Sequence, residues 1–319
     1  MKSIDFQKDL LELELYLNES VVKRVIEVRK DPLSLNTTSL SPERANRPKK
    51  FSKEGCVFCP PLIYQITASQ RIIHQDGSIT IPNSFPFLKP HHVTIFPYHK
   101  SKIEELDEKD LYAWIETGYE MATIYKKLNV RLMWDFINFG RNAGASIEHP
   151  HAQRGGVTKS IKTEADKEIS NLKRKMKNLN ENPFEYLFKK YKENYLFVFE
   201  DDVLFINTPF APKLPNEVMI TYKPEITELT KLKSNADKNK IAFAINKVLR
   251  ILNKELNVTD FNIVSHYAPF KLDCQKYFKI HWHIYPRNLN NLAGMEMNGH
   301  YVVDVFPEYT ASILRKNFK

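Results

Sequence analysis

The chain repeats itself, and a duplicated order of elements restricts its possible folds more than any composition does. From His92 a strand-like HVTIFPYH leads through IEELDEKDL to a helical stretch, Leu111 to Leu128, then to a strand from Arg131 to Phe139 and to His149-Pro-His151. The second pass runs from EVMITYK at Glu217 through ITELTKL to a helix near Ile241 to Leu256, a strand from Phe261 to Ser265, and His281-Trp-His283. Val93 stands about as far from His151 as Val218 does from His283, which chance does not readily produce. β-Branched and aromatic residues alternate in the strand candidates, as they do in sheets with one face covered by helices. In the first helix Leu111, Trp114, Ile115, Gly118, Met121 and Tyr125 recur at spacings of three and four, a stripe that reads as core. The expectation is an α+β protein of two duplicated units, mainly antiparallel sheets packed with helices.

Around these units the chain divides into an N-terminal extension, 1–30, a first half, 31–158, a connector, 159–195, and a second half, 196–319. The extension alternates acidic and apolar residues and suits a helix or an edge strand equally. The connector is charged, is interrupted by Pro183, and holds a solvated helix from Lys162 to Lys177. No run approaches the roughly 18 apolar residues that cross a bilayer, and MKSIDFQKDL is not a secretory leader, so a cytoplasmic protein without a membrane partner is expected. The net charge of +9 would attract nucleic acid, a membrane surface or anionic small substrates. The basic connector lacks the interleaved aromatics on which bases stack, so no nucleic-acid partner is expected.

Chemistry concentrates in a few short segments. Residues two apart on a strand share a face, which would align His149, His151 and Gln153. The lead-in from Asn138 to Ser146, NFGRNAGAS, spends two of the chain's 9 glycines, and such a loop lets backbone N–H groups approach a phosphate. An H-x-H pair alone is more often a metal or core pair, but the glycine-rich lead-in and Gln153 favour a nucleophile. A neutral imidazole attacks a phosphate ester and gives a reactive phosphoramidate, and Gln153 would donate to the phosphoryl oxygens. Three cysteines do not make a disulfide framework. Cys56 and Cys59 have the spacing of a zinc knuckle or of a redox pair, and His99 and His149 would complete a closed, structural site. His266, His281 and His283 form a third cluster, read either as hydrogen-bonded histidines or, with Glu164 or Glu168, as a second metal site.

Together DPLSLNTTSLSPERANRP from Asp31, CVFCP from Cys56, FPYH ending at His99, NFGRNAGASIEHPHAQ from Asn138, SHYAPF from Ser265 and HWHIYPR from His281 resemble the galactose-1-phosphate uridylyltransferase group of the histidine-triad superfamily. That group includes enzymes like ADP-glucose phosphorylase and dinucleoside-tetraphosphate phosphorylase. The resemblance implies zinc on Cys56, Cys59, His99 and His149, a nucleophilic His151 assisted by Gln153, and phosphate and nucleotide contacts at Arg44 and Arg47. It further implies that Asn83 and Phe85 hold base and ribose, that Asn138 and Ser146 lie near the phosphates, and that His266, His281 and His283 form a second metal site found in some members. Glu296 of Gly294-Met-Glu296 matches a hexose-phosphate contact. Three departures stand out: Lys167 falls where the second site's carboxylate is expected, Met295 replaces an aromatic, and residues around Val302 replace a glutamine. The resemblance implies a homodimer acting on a nucleotide sugar and a sugar 1-phosphate or phosphate. The leading expectation is UDP-glucose:hexose-1-phosphate uridylyltransferase activity, as in galactose metabolism. The alternative is an ADP-glucose or dinucleoside-tetraphosphate phosphorylase or hydrolase, and a zinc-dependent nucleic-acid binder is the reading from another class.

Overall fold

A computed structural model describes residues 7–17, 20–32, 36–65, 70–179, 181–287 and 294–318. Strands β1 (Gln7–Leu17), β2 (Ser20–Lys30) and β3 (Thr37–Leu40) form a small antiparallel sheet. The extension is therefore strand and not helix: inward residues of β2 alternate, and Ile26 and Val28 are buried in the main core.

All other strands belong to one ten-stranded sheet. They are β4 (Ile72–Ile73), β5 (Ile79–Pro82), β6 (His91–Ile95), β7 (Leu132–Phe139), β8 (His151–Val157), β9 (Phe197–Glu200), β10 (Leu204–Asn207), β11 (Val218–Tyr222), β12 (Phe261–His266) and β13 (His281–Pro286). Their order is β4-β5-β6-β8-β7-β12-β13-β11-β10-β9, and every neighbouring pair is antiparallel. This order reads the same from both edges. The repeated units lie side by side, joined where β7 pairs with β12, so the duplication makes a continuous sheet.

The helices are α1 (Leu62–Gln65), α2 (Glu108–Lys127), α3 (Glu164–Met176), α4 (Pro183–Glu193), α5 (Asn235–Leu256), α6 (Gly294–Met297) and α7 (Pro307–Asn317). Helix α2 starts before its apolar stripe because Asp107 and Asp110 form a capping box, and α5 starts six residues before Ile241 because Ser234 caps Asp237. The two long helices pack on each other, and α2 lies against β7 and β8. In β7 Met133, Asp135, Ile137 and Phe139 are buried on the helix side, whereas Trp134, Phe136 and Asn138 are half-buried on the other. Under α2 the Asp135 carboxylate meets Arg154 at 3.2 Å and accepts from Trp114 Nε1 at 2.9 Å. Gly118 makes room there, since a Cβ would stand 3.1 Å from Asp135 Oδ2. No described helix is long and apolar enough to cross a membrane.

Register relates the halves residue by residue. Phe96 N–H donates to the Pro150 carbonyl and Tyr222 N–H to that of Ile280, so position 150 corresponds to 280 and His151 to His281. Ile95 pairs with His151 as Thr221 does with His281, and Phe136 with Gln153 as Val264 does with His283. The two H-x-H segments are thus offset by two residues: the first begins before its strand, whereas the second lies within β13.

Candidate functional site

The sheet face opposite α2 and α5 carries the polar residues singled out above. His151 opens β8 and Gln153 follows on the same face, above a cavity of about 250 Å³ also lined by Arg44, Arg47, Asn83, Phe85, Asn138 and Ser146. His149 does not share that alignment. It precedes the strand and turns toward the cysteines, because its Nδ1 lies 3.4 Å from Cys59 Sγ while its Nε2–H donates to the Phe96 carbonyl at 2.7 Å.

His151 is buried, and its Nδ1–H donates to the His149 carbonyl at 2.8 Å. That bond places the lone pair on Nε2. Burial holds the pKa below the usual imidazole value against the opposing effect of this hydrogen bond, so the ring is neutral at pH 7. Phe58 packs edge-on to the ring at 5.3 Å and fixes its plane.

The rest of the cavity is cationic. Arg44 donates to the Phe85 carbonyl at 2.7 Å and stacks on Phe87 at 4.5 Å, and burial followed by the nearby Arg47 lowers its pKa. Asn83 Oδ1 accepts from Phe85 N–H at 2.8 Å, and Asn138 Oδ1 accepts from Asn262 at 2.7 Å across the seam. Two guanidinium groups and no carboxylate line the cavity among the described residues, an arrangement that favours an anion. The two glycines of the lead-in do different work. Gly144, at φ +81°, lines the cavity with open space where a Cβ would stand. Gly140, at φ +86°, is required because a Cβ would overlap Asp260, whose Oδ2 accepts from Asn142 N–H at 3.0 Å and pins the loop.

Cys56, Cys59, His99 and His149 come together with all donor atoms within 4.8 Å. Cys59 Sγ lies 3.5 and 3.4 Å from the Nδ1 atoms of His99 and His149. A tetrahedral zinc site with bonds of about 2.3 Å to sulfur and 2.0–2.1 Å to nitrogen separates its donors by roughly 3.3–3.8 Å, so the set fits such an ion. His99 donates from Nε2 to Glu148 at 3.0 Å and His149 to Phe96, which leaves both Nδ1 lone pairs facing the sulfurs.

Glu168, His266, His281 and His283 form a second such group. Lys167, which sequence similarity put at the carboxylate position, points elsewhere and pairs with Glu164, which also meets Lys213. Glu168, one residue on, supplies the carboxylate at 2.8 Å from His266 Nδ1 and 3.3 Å from His281 Nε2. His281 donates from Nδ1 to the Lys279 carbonyl at 2.9 Å and His283 from Nδ1 to Glu217 at 2.7 Å, so their Nε2 lone pairs remain. That of His283 is buried without a hydrogen-bond partner. Converging lone pairs around a carboxylate fit a cation.

Glu296 is not brought to the His151 cavity within this chain. It lies on α6, where Oε1 accepts from Val302 N–H at 3.3 Å. Sequence reasoning missed Glu217 and Asn262, although Glu217 stood at the start of a recognised strand, because nothing local shows that it will face a histidine 66 residues away.

No family model matches the chain. It is 24% identical over 349 aligned residues to a curated Arabidopsis thaliana protein, ADP-glucose phosphorylase, covering 93% of this chain and 95% of that one. Among solved structures it resembles an Arabidopsis thaliana ADP-glucose phosphorylase with bound ADP-glucose, with TM-score 0.71, 22% identity, and 91% and 99% of the two chains covered. A uridylyltransferase structure matches with TM-score 0.77, 22% identity, and 91% and 98% covered. Such likeness between structures establishes the duplicated, mainly antiparallel fold.

Proposed function

We propose that the chain is a uridylyltransferase-like member of the histidine-triad superfamily and that it transfers a nucleoside monophosphate through a covalent intermediate on His151. One observation carries this reading: a buried neutral histidine, its Nδ1 committed to the His149 carbonyl, leaves Nε2 as the free base in a cavity with two arginines and no opposing carboxylate.

His151 Nε2 attacks the α-phosphorus of a nucleotide sugar; a P–N bond forms, the P–O bond breaks, and the sugar phosphate leaves with the bond's electrons. An oxygen of the acceptor phosphate then attacks the phosphorus held on His151; a P–O bond forms, the P–N bond breaks, and its electrons return to Nε2 and regenerate the neutral imidazole. Gln153, Asn138 and Ser146 line the place where phosphoryl oxygens would sit, and Gln153 would donate to charge developing there. Arg44 and Arg47 neutralise the phosphates, while Asn83 and Phe85 border the base and ribose. Cys56, Cys59, His99 and His149 would hold zinc, which ties the early loop to the start of β8. Glu168, His266, His281 and His283 would hold a second divalent cation.

In the leading reading the donor is UDP-glucose and the acceptor a hexose 1-phosphate. Phosphorolysis of ADP-glucose is the second reading, favoured by the match to the plant phosphorylase along 93% of the chain. Glu296 is absent from the lining of the His151 cavity and would contact substrate from a second copy in a homodimer, for which exposed Met297, Val302 and Phe306 around it supply apolar surface.

Intact-protein mass spectrometry after mixing with UDP-glucose or ADP-glucose tests the proposal. A gain of UMP or AMP, absent in His151→Ala, is expected and identifies the base. No adduct from either donor in metal-loaded protein would overturn the nucleophile.

A further inference from the structure

The strand register that matches His151 with His281 matches a whole cavity. Position 207 pairs with 219 as 81 pairs with 93, so Pro209 corresponds to Asn83, Met219 to Val93, and His283 to Gln153. Asn83, Val93, His151 and Gln153 all line the proposed nucleotide cavity. Their four counterparts, Pro209, Met219, His281 and His283, line a separate cavity of about 500 Å³ beneath α3 and α4. The duplication has therefore kept a second pocket in the second half.

Its chemistry has changed. The arginines are absent from its lining, exposed Lys175, Asn171 and Asn178 stand at its rim, and connector residues Leu172, Leu179, Phe184 and Leu187 supply apolar walls. The nucleophile's counterpart, His281, turns its Nε2 to His266 at 3.1 Å and Glu168 at 3.3 Å. Three of the four cation-holding residues, Glu168, His281 and His283, border the cavity, and His283 Nε2 is buried without a hydrogen-bond partner.

We infer that this duplicated pocket is a second ligand site, for a small apolar molecule bearing a single donor atom that binds the cation held by Glu168, His266, His281 and His283. Phosphate-bearing ligands are disfavoured because a single exposed lysine, Lys175, stands where the first cavity has two arginines, and the Glu168 carboxylate borders the same space. The walls select an apolar body and the cation anchors one polar atom. This inference rests on the second cation site proposed above.

Cobalt(II)-loaded protein, with metal counted per chain and the visible spectrum recorded during titration with 4-phenylimidazole, provides the test. Wild type should bind one more cobalt than Glu168→Gln, and its visible band should shift on titration. Unsubstituted imidazole, which lacks the apolar body, should need about 10–100-fold higher concentration, as expected for losing a buried phenyl group. Leu187→Trp fills the cavity and should retain the cobalt while weakening 4-phenylimidazole at least tenfold; its labelling at His151 by a nucleotide sugar reports that it is folded. An unshifted band, equal affinity for both imidazoles, or undiminished affinity in folded Leu187→Trp would each overturn the ligand site while leaving the cation reading intact. Equal cobalt content in wild type and Glu168→Gln would remove the cation site and this inference with it.

Discussion

Replacing Gly140 by alanine tests why the loop before His151 has its shape. At φ +86° any side chain costs about 1–2 kcal/mol in backbone strain. The added Cβ would also stand 1.9 Å from Asp260 Oδ1, an overlap that must move a side chain already holding Asn142 N–H. Relieving such overlap in a packed setting costs about 1–3 kcal/mol more. Gly144→Ala is the internal control: its φ of +81° imposes similar strain, but nothing lies within 4 Å of the new Cβ. Urea unfolding followed by tryptophan fluorescence should therefore place Gly140→Ala about 1–3 kcal/mol below Gly144→Ala. Adduct formation at His151 should be slowed more by Gly140→Ala than by Asp260→Ala, which loses the pin without forcing the loop aside. Equal stability of the two glycine variants would refute the role given to Asp260.

Gln153→Ala should leave His151 able to form the adduct but slow it about 10²–10³-fold in single-turnover quench-flow, the usual cost of one donor to developing phosphoryl charge. Asp135→Asn removes the partner of the fully buried Arg154 and should lower unfolding stability by about 3–5 kcal/mol in urea titrations. Because burial lowers the His151 pKa, its neutral form persists below the ordinary imidazole midpoint near pH 6.5. The rate of adduct formation should accordingly fall on acidification with a midpoint below pH 6.5; a midpoint at or above 6.5 in stopped-flow rates would contradict the buried, neutral ring. If Cys56, Cys59, His99 and His149 hold zinc as proposed, chelation should lower the melting temperature measured by calorimetry, with recovery on adding zinc.

Much of the site could be read in the sequence because its signals are local. Strand-plus-two spacing put His151 and Gln153 on one face, and the C-x-x-C spacing brought Cys56 and Cys59 together without knowledge of the fold. Partners contributed by distant strands carried weaker signals. The N-terminal hairpin was ambiguous because its alternating acids and apolar residues suit a helix as well as a strand, and only the burial of Ile26 and Val28 against the main core decides between them. Lys167 and Glu168 differ by one helical step of 100°, which sequence alignment blurs and the packing of α3 on β13 resolves. The offset between the two H-x-H segments was hidden for a similar reason: motif spacing aligns letters, whereas hydrogen-bond register aligns positions.

That offset bears on how one scaffold would support the two chemistries proposed for its halves. His151 and His281 are the same imidazole in the same setting: each opens its strand, and each donates from Nδ1 to the carbonyl two residues earlier. The tautomer is therefore equal in both, and each Nε2 lies on the same side of the sheet. What differs is the counterpart pair on the neighbouring strands, Asn138 in the first half and His266 in the second, together with Glu168 from the connector. A carboxylate beside Nε2 repels a phosphate and attracts a cation, whereas arginines do the opposite. On the proposed roles, exchanging the electrostatic partner would turn a position suited to attack on phosphorus into one suited to holding a metal. The connector that brings Glu168 also brings the apolar walls, so the change of charge and the change of pocket lining arise from a single stretch of chain.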